Sequence, residues 1–135
     1  IASAARADYA AAAVVALTGT LPANQTYELA GDSAYTLAEL AAEISRQSGH
    51  TVRYHDLSEA EYREVLRRAG LPEGLARSIP SWDIGASQGA LFDDSHTLSR
   101  LIGRPTTPLA ALVRQALKAS REAGAGGADD KKIAG

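Results

Sequence analysis

A strand–helix–strand pattern in residues 27–57 constrains the fold of this chain more than any other feature. Residues 27–30 (YELA) alternate in polarity and lead into a Gly-Asp turn, which predicts a short strand. Residues 51–55 (TVRYH) predict a second strand. A helix between them should make the strands parallel, with a right-handed connection. Because two strands alone do not make a stable sheet, these residues predict an incomplete α/β unit.

The helix inside this unit has clear start and stop signals. Thr36 and Glu39 have capping-box spacing, in which the hydroxyl accepts an amide hydrogen bond and the carboxylate reaches back. Ser48 and Gly49 end the helix. Apolar residues at helical spacing predict one buried stripe, made of Leu37, Leu40, Ala41 and Ile44.

Helices are also predicted on both sides of this unit. The first covers residues 6–17, where a run of alanines lets a neighbouring element approach closely. Ser58 and Glu61 form a second capping box. The helix that follows has a predicted buried stripe of Tyr62, Val65, Leu66 and Ala69.

The C-terminal third is also predicted to be helical, with one interruption. Residues 73–90 carry Pro80 in their middle, so we expect two short helical pieces bent there. Residues 94–102 predict a short helix. Thr107 is the expected cap of the last helix, with Pro108 at its first position. The apolar stripe of that helix is Leu109, Leu112, Val113, Ala116 and Leu117.

Length and composition bound the class of protein. The 135 residues allow one domain, assigned to residues 1–122, followed by a flexible glycine-rich tail at residues 123–135. The formal net charge of -2 gives no bulk reason to bind nucleic acid or an anionic membrane, and no apolar run could span a bilayer. The absence of cysteine excludes disulfides and fits a cytoplasmic protein. Because the chain begins at Ile1, we expect a fragment or a processed product.

Few candidate catalytic or metal-binding residues are found in this sequence. His50, His55 and His96 are not spaced as a metal-binding set and are interpreted as surface or edge histidines. Asp93 and Asp94 form a tempting carboxylate pair, but their position before a helix favours capping. Neither a dinucleotide-binding GxGxxG nor a phosphate-binding GxxxxGK(S/T) motif occurs.

One aromatic residue in the irregular region leaves two alternatives open. Trp82 lies near Ile79 amid glycines and a proline. A large apolar side chain there either packs in a core or interface, or lines a ligand cleft. Tyr35 and Phe92, each beside a predicted helix start, leave the same alternatives.

Several stretches resemble one known family. The most specific are FDDS at residues 92–95 and LIGRPTT at residues 101–107, and the others are IASAARADYAAAAVVALTG, YELAGDSAYTLAELAAEISRQSG and LSEAEYREVLRRAGLPEGLA. These stretches resemble the C-terminal part of the type 2 NAD(P)H:quinone oxidoreductases, which are NmrA-like members of the atypical short-chain dehydrogenases. The resemblance runs in register from residue 1 to about residue 117.

The resemblance implies an α/β fold. This chain would be the C-terminal lobe of an NmrA-like Rossmann protein, mostly helical with two short strands in a βαβ unit, and the nucleotide-binding half would be absent. Residues 27–30 would then extend the edge of the large sheet, which supplies the missing partner. Arg6 and Asp8 resemble the family's Arg-x-Asp beside the cofactor cleft.

The resemblance also implies an activity. The family transfers a hydride from NADPH to a quinone, and NADPH would bind through the missing half, not this chain alone. The quinone would lie against residues 79–92, with Ile79, Trp82, Phe92 and Tyr35 as pocket candidates. Because the nicotinamide supplies the chemistry, no catalytic or metal-binding residue is assigned here.

Two other interpretations stay open. NmrA-like folds include members that bind NADP(H) without turning it over and signal to a partner. A free-standing helical interaction module is the third interpretation. If the nucleotide half is absent, we expect marginal stability and self-association through the first helix and the edge at residues 27–30.

Overall fold

The computed structural model describes residues 1–19, 21–22 and 24–129. Within them the chain forms six α-helices, which are α1 (Arg6–Thr18), α2 (Leu37–Ser48), α3 (Glu59–Arg68), α4 (Glu73–Ser87), α5 (Thr97–Ile102) and α6 (Leu109–Asp129). They pack as three pairs, α1 with α5, α2 with α6, and α3 with α4.

Small side chains dominate the core. Leu98 on α5 is its largest fully buried apolar side chain. The buried apolar residues are Ala2, Ala5, Ala12, Ala41, Ala76, Leu98 and Val113. Since burial of an alanine removes little apolar surface from water, each of these residues contributes modestly to stability.

The predicted extents of α1 and α2 are confirmed, but only part of the buried stripe of α2 is, because Leu37 is exposed. The helix expected over residues 6–17 is α1, one residue longer. At the start of α2, the Glu39 amide donates to Thr36 Oγ1 at 3.1 Å and the Thr36 amide donates to Glu39 Oε2 at 2.7 Å. Gly49 ends α2 in the left-handed region, with φ of 75°. The buried residue of its predicted stripe is Ala41.

Neither predicted strand forms within the described residues. Residues 27–30 and 51–55 lie outside any helix or ladder. The Val52 amide donates to the Ser45 hydroxyl at 2.8 Å, and that hydroxyl lies 2.8 Å from the Ala41 carbonyl and 3.1 Å from the Val52 carbonyl. A strand requires a second extended segment beside it, and here a side chain takes these bonds instead.

The capping box of α3 is confirmed, but its buried stripe is not. Ser58 and Glu61 exchange the expected side-chain and backbone hydrogen bonds. No residue of α3, all of which the structure describes, is buried, and Val65 is 49% exposed. The reason is that α3 packs against α4 alone, and a single neighbouring helix cannot cover the stripe.

The predicted break at Pro80 is wrong, because α4 continues through it as one helix. Proline removes one helical hydrogen bond, which costs stability. Here its ring is buried, and the Ser81 hydroxyl donates to the carbonyl of Ser78 at 2.8 Å. Burial of the ring offsets part of this cost.

The last two helices begin later than expected. Asp94 does not cap α5, because the Asp93 carboxylate accepts bonds from the amide and hydroxyl of Ser95 at 3.1 and 2.7 Å. This turn and the left-handed His96, with φ of 54°, delay the start of α5 to Thr97.

The predicted tail overlaps the end of α6, which is helical to Asp129, and residues 130–135 lie outside the described residues.

Candidate functional site

A buried carboxylate organises one side of the molecule. Asp8 on α1 is fully buried. It accepts hydrogen bonds from the Thr107 amide at 2.7 Å and the Thr107 hydroxyl at 3.2 Å, and Arg104 Nη2 lies 2.7 Å from its Oδ1. Burial opposes ionisation, but the bonds from Thr107 and Arg104 outweigh it and hold the pKa of Asp8 below its ordinary value.

A second carboxylate holds the same segment from the other side. Asp32 and Thr106 exchange two bonds of 2.8 Å, each backbone amide donating to the other's side chain. His96 Nδ1 lies 3.1 Å from Asp32 Oδ1. The Thr106 amide first, and then the Ser99 hydroxyl, lower the pKa of Asp32 to about 2. Together Asp8 and Asp32 fix the connection between α5 and α6, and we call these bonds the carboxylate network.

A cleft with an aromatic wall lies away from the carboxylate network. It lies among residues 35–38, residues 54–59, α3 and α4, and its volume is about 580 Å³, within the range of small-molecule sites. Apolar and aromatic side chains form much of its wall, namely Tyr35, Tyr54, Tyr62, Pro80 and Ile84. The Tyr35 hydroxyl lies 2.6 Å from Ser3 Oγ, which orients the ring.

Carboxylates line the same cleft. Asp56, Glu59 and Asp83 contribute to its wall, and the Tyr54 hydroxyl donates to Asp56 Oδ1 at 3.3 Å. Partial desolvation, and then the negative charges of Asp56 and Asp83, raise the pKa of the Tyr54 phenol. Tyr54 is therefore a neutral hydrogen-bonding group at neutral pH.

The four predicted pocket residues do not come together. Tyr35 lines the cleft, whereas Ile79, Trp82 and Phe92 are not among its lining residues. Trp82 is 62% exposed and Phe92 is 57% exposed, so neither is packed in a core within this chain. Ile79 is half-buried beside Pro80, which does reach the cleft. Their roles as quinone contacts stay predictions.

The two predicted cofactor-cleft residues have different surroundings. Arg6 is exposed at the start of α1, while Asp8 is buried in the carboxylate network. Both oxygens of Asp8 already accept bonds within the chain. Their place beside a cofactor stays a prediction.

Sequence reasoning missed most of the cleft wall. Tyr54 was assigned to a strand, Tyr62 to a buried stripe, and Asp83 to no role. Tyr62 does lie on the inward side of α3, so helical periodicity could have located it. In the described part of the chain, no three His, Cys, Asp or Glu side chains group as a metal site, and no helix is long and apolar enough to cross a membrane.

Comparison with known proteins identifies relatives of this chain. No family model matches the chain. The chain is 57% identical over 113 residues to quinone oxidoreductase 2 of Escherichia coli, which covers 84% of this chain and 40% of that protein. The chain belongs to the NmrA-like family. This NmrA-like chain is also 32% identical over 107 residues to the NAD(P)H azoreductase of Xenophilus azovorans, over 79% of this chain and 37% of that protein.

The fold agrees with this assignment. The crystal structure of the E. coli NADPH-dependent quinone oxidoreductase in complex with NADPH superposes with a TM-score of 0.83 and 55% sequence identity. The match covers 87% of this chain and 41% of that one, and it falls on the C-terminal part of the quinone oxidoreductase. The chain therefore spans about two fifths of the length of the relatives it matches.

Proposed function

We propose that this chain is the substrate-side lobe of an NADPH-dependent quinone reductase. The observation that carries the proposal is the 57% identity to a quinone oxidoreductase across most of the chain. The azoreductase relative supports the same acceptor class, since azo compounds and quinones are both conjugated electron acceptors. The cleft beside Tyr35 and Tyr54 is the proposed acceptor site.

The residues of this chain do not fit a dinucleotide by themselves. The sequence has no glycine-rich phosphate loop, and the carboxylates of Asp8 and Asp32 are committed to the carboxylate network. We therefore assign NADPH binding to a Rossmann half that this chain does not include, and inactivity to the lobe alone. In the same proposal, residues 27–30 pair with the edge of that half's sheet, which accounts for the lack of a strand partner for them here.

The proposed reaction balances with one proton from solvent. The quinone gains a hydride from NADPH and a proton from water, which yields a hydroquinone and NADP⁺. The contribution of this lobe is to hold the acceptor and exclude water. The rings of Tyr35 and Tyr54 offer flat surfaces for a planar acceptor, and the hydrogen bond between the hydroxyls of Ser3 and Tyr35 restrains Tyr35.

Steady-state kinetics test the proposal. We expect the full-length protein that contains this sequence to consume NADPH when a naphthoquinone is supplied, and the 135-residue chain alone to show no turnover. A full-length protein that binds NADPH but reduces no quinone would contradict the proposal. That result would favour the NADP(H)-sensing alternative instead.

A further inference from the structure

The acceptor cleft has a one-sided charge pattern. Three carboxylates line it, those of Asp56, Glu59 and Asp83, and among the described residues neither a lysine nor an arginine does. The other groups of the lining that can carry a positive charge are His55 and the amino group of Ile1, which donates to the Tyr35 carbonyl at 3.0 Å. In the described part of the chain, none of the three forms an ion pair. No lysine or arginine side chain therefore neutralises these three carboxylates, which outnumber the groups of the lining that can be cationic.

We propose that this cleft selects its acceptor by charge, so that it takes neutral or cationic conjugated ring systems and disfavours anionic ones. This inference rests on the proposed function and specifies its substrate class. The site is the aromatic cleft itself, and the carboxylates set its selectivity.

Electrostatics in a partly enclosed cleft support this selectivity. Low-dielectric walls lined by charge of one sign concentrate the field and raise the local concentration of oppositely charged ligands. An anionic acceptor would meet a majority of like charges there, without a lysine or arginine side chain to compensate them. A cationic ring system can pair with a carboxylate and also stack on a tyrosine face, which attracts cations.

Asp56 and Asp83 are the carboxylates that act most directly on the aromatic wall. Asp56 accepts the Tyr54 hydroxyl at 3.3 Å. The fields of both carboxylates act on the same phenol and favour its protonated form. An acceptor stacked on Tyr54 would therefore be exposed to the charges of two carboxylates. Asp56 lies in the segment that precedes α3, and Asp83 lies on α4.

The test compares three naphthoquinones in the full-length protein, one unsubstituted, one bearing a sulfonate and one bearing a quaternary ammonium group. Asp83→Asn and Asp56→Asn each remove one negative charge while keeping the side chain's shape. We expect each to lower the ratio of kcat/KM for the cationic over the anionic quinone by roughly three- to tenfold, mainly through KM. In the parent protein, added salt should lower the same kcat/KM ratio, because exposed charges are screened.

Glu64→Gln is the matched control, because it makes the same charge change on α3 but outside the cleft. The substituents also alter the intrinsic reactivity of each quinone, but that contribution cancels when variant and parent are compared. An unchanged ratio in both cleft variants, or an equal change in Glu64→Gln, would overturn the charge selectivity while the reductase function stands. A protein that reduces none of the three quinones would overturn the proposed function, and this inference with it.

Discussion

The carboxylate network and the α3–α4 pair differ in how far each region is buried and bonded within the chain. Asp8 is fully buried and bonded to Thr107, and Asp32 is bonded to Thr106, so the connection between α5 and α6 is closed by bonds within the chain. The α3–α4 pair buries no residue of α3, and it leaves Trp82 62% exposed. The polar groups of the first region are paired within the chain, whereas the second region leaves large apolar side chains exposed.

Removing Asp8 should produce the largest effect. Asp8→Ala leaves the Thr107 amide and the Arg104 guanidinium without their partner, so we expect a loss of about 2–4 kcal/mol in the free energy of unfolding. Urea denaturation followed by circular dichroism measures it. Asp94→Ala, at an exposed position, is the control and should change stability by less than about 0.5 kcal/mol. Equal losses would contradict the central role of the network.

The second-largest loss of stability is expected from substitution of Gly31, which precedes Asp32 of the carboxylate network. Gly31→Ala places a methyl group against the backbone carbonyl oxygen of Ser3, so the backbone must shift and we expect a loss of about 1–3 kcal/mol. Gly74→Ala on α4 makes the same change in open space, where we expect a gain of up to about 1 kcal/mol from helix propensity. Thermal denaturation compares the two. A loss at Gly74 as large as at Gly31 would count against the close approach of Ser3.

Acid should weaken the network through Asp32. The folded-state pKa of about 2 lies below the ordinary value of 3.8, so the stabilisation is present above about pH 5 and is lost as pH falls toward 2. The difference in unfolding free energy between the parent and Asp32→Asn should shrink by about 1–2 kcal/mol between pH 7 and pH 2.5. Urea titrations at both pH values measure it, and a difference independent of pH would refute the assignment.

The smallest effect on stability is expected in the α3–α4 region. Trp82→Gln should change the unfolding free energy of the chain by less than about 0.5 kcal/mol, because the side chain is exposed. If that surface drives self-association, the same variant should shift the chain toward the monomer in sedimentation velocity. Val14→Gln on α1 is the comparison, since Val14 is 59% exposed on the first helix. A large loss of stability at Trp82 would show that the two regions do not differ as described.

Local signals predicted the helices well and the strands poorly. The capping boxes at Thr36 and Ser58 form as expected, because their bonds join residues three apart in sequence. The strand expected at residues 27–30 does not form here, since a strand needs a neighbour that its own sequence does not specify. Pro80 was expected to bend α4, but burial of its ring offsets part of the cost of the lost bond.

The candidate site was predicted less completely than the fold. Tyr35 was identified, while Tyr54 and Asp83 were missed because they come from separate segments that meet only in the folded chain. Resemblance over residues 1 to about 117 predicted the family, which the relatives confirm. It could not indicate which side chains line the cleft.

The sequence by itself determined the capped starts of α2 and α3 and which family the chain belongs to, because both depend on short or contiguous patterns. Only the tertiary structure decided the partners of Asp8 and Asp32. Asp8 and Thr107 are 99 residues apart, and Asp32 and Thr106 are 74 apart. A buried carboxylate requires partners, but its own neighbourhood in sequence does not identify them, so the pairing is settled when α1 and α5 pack together.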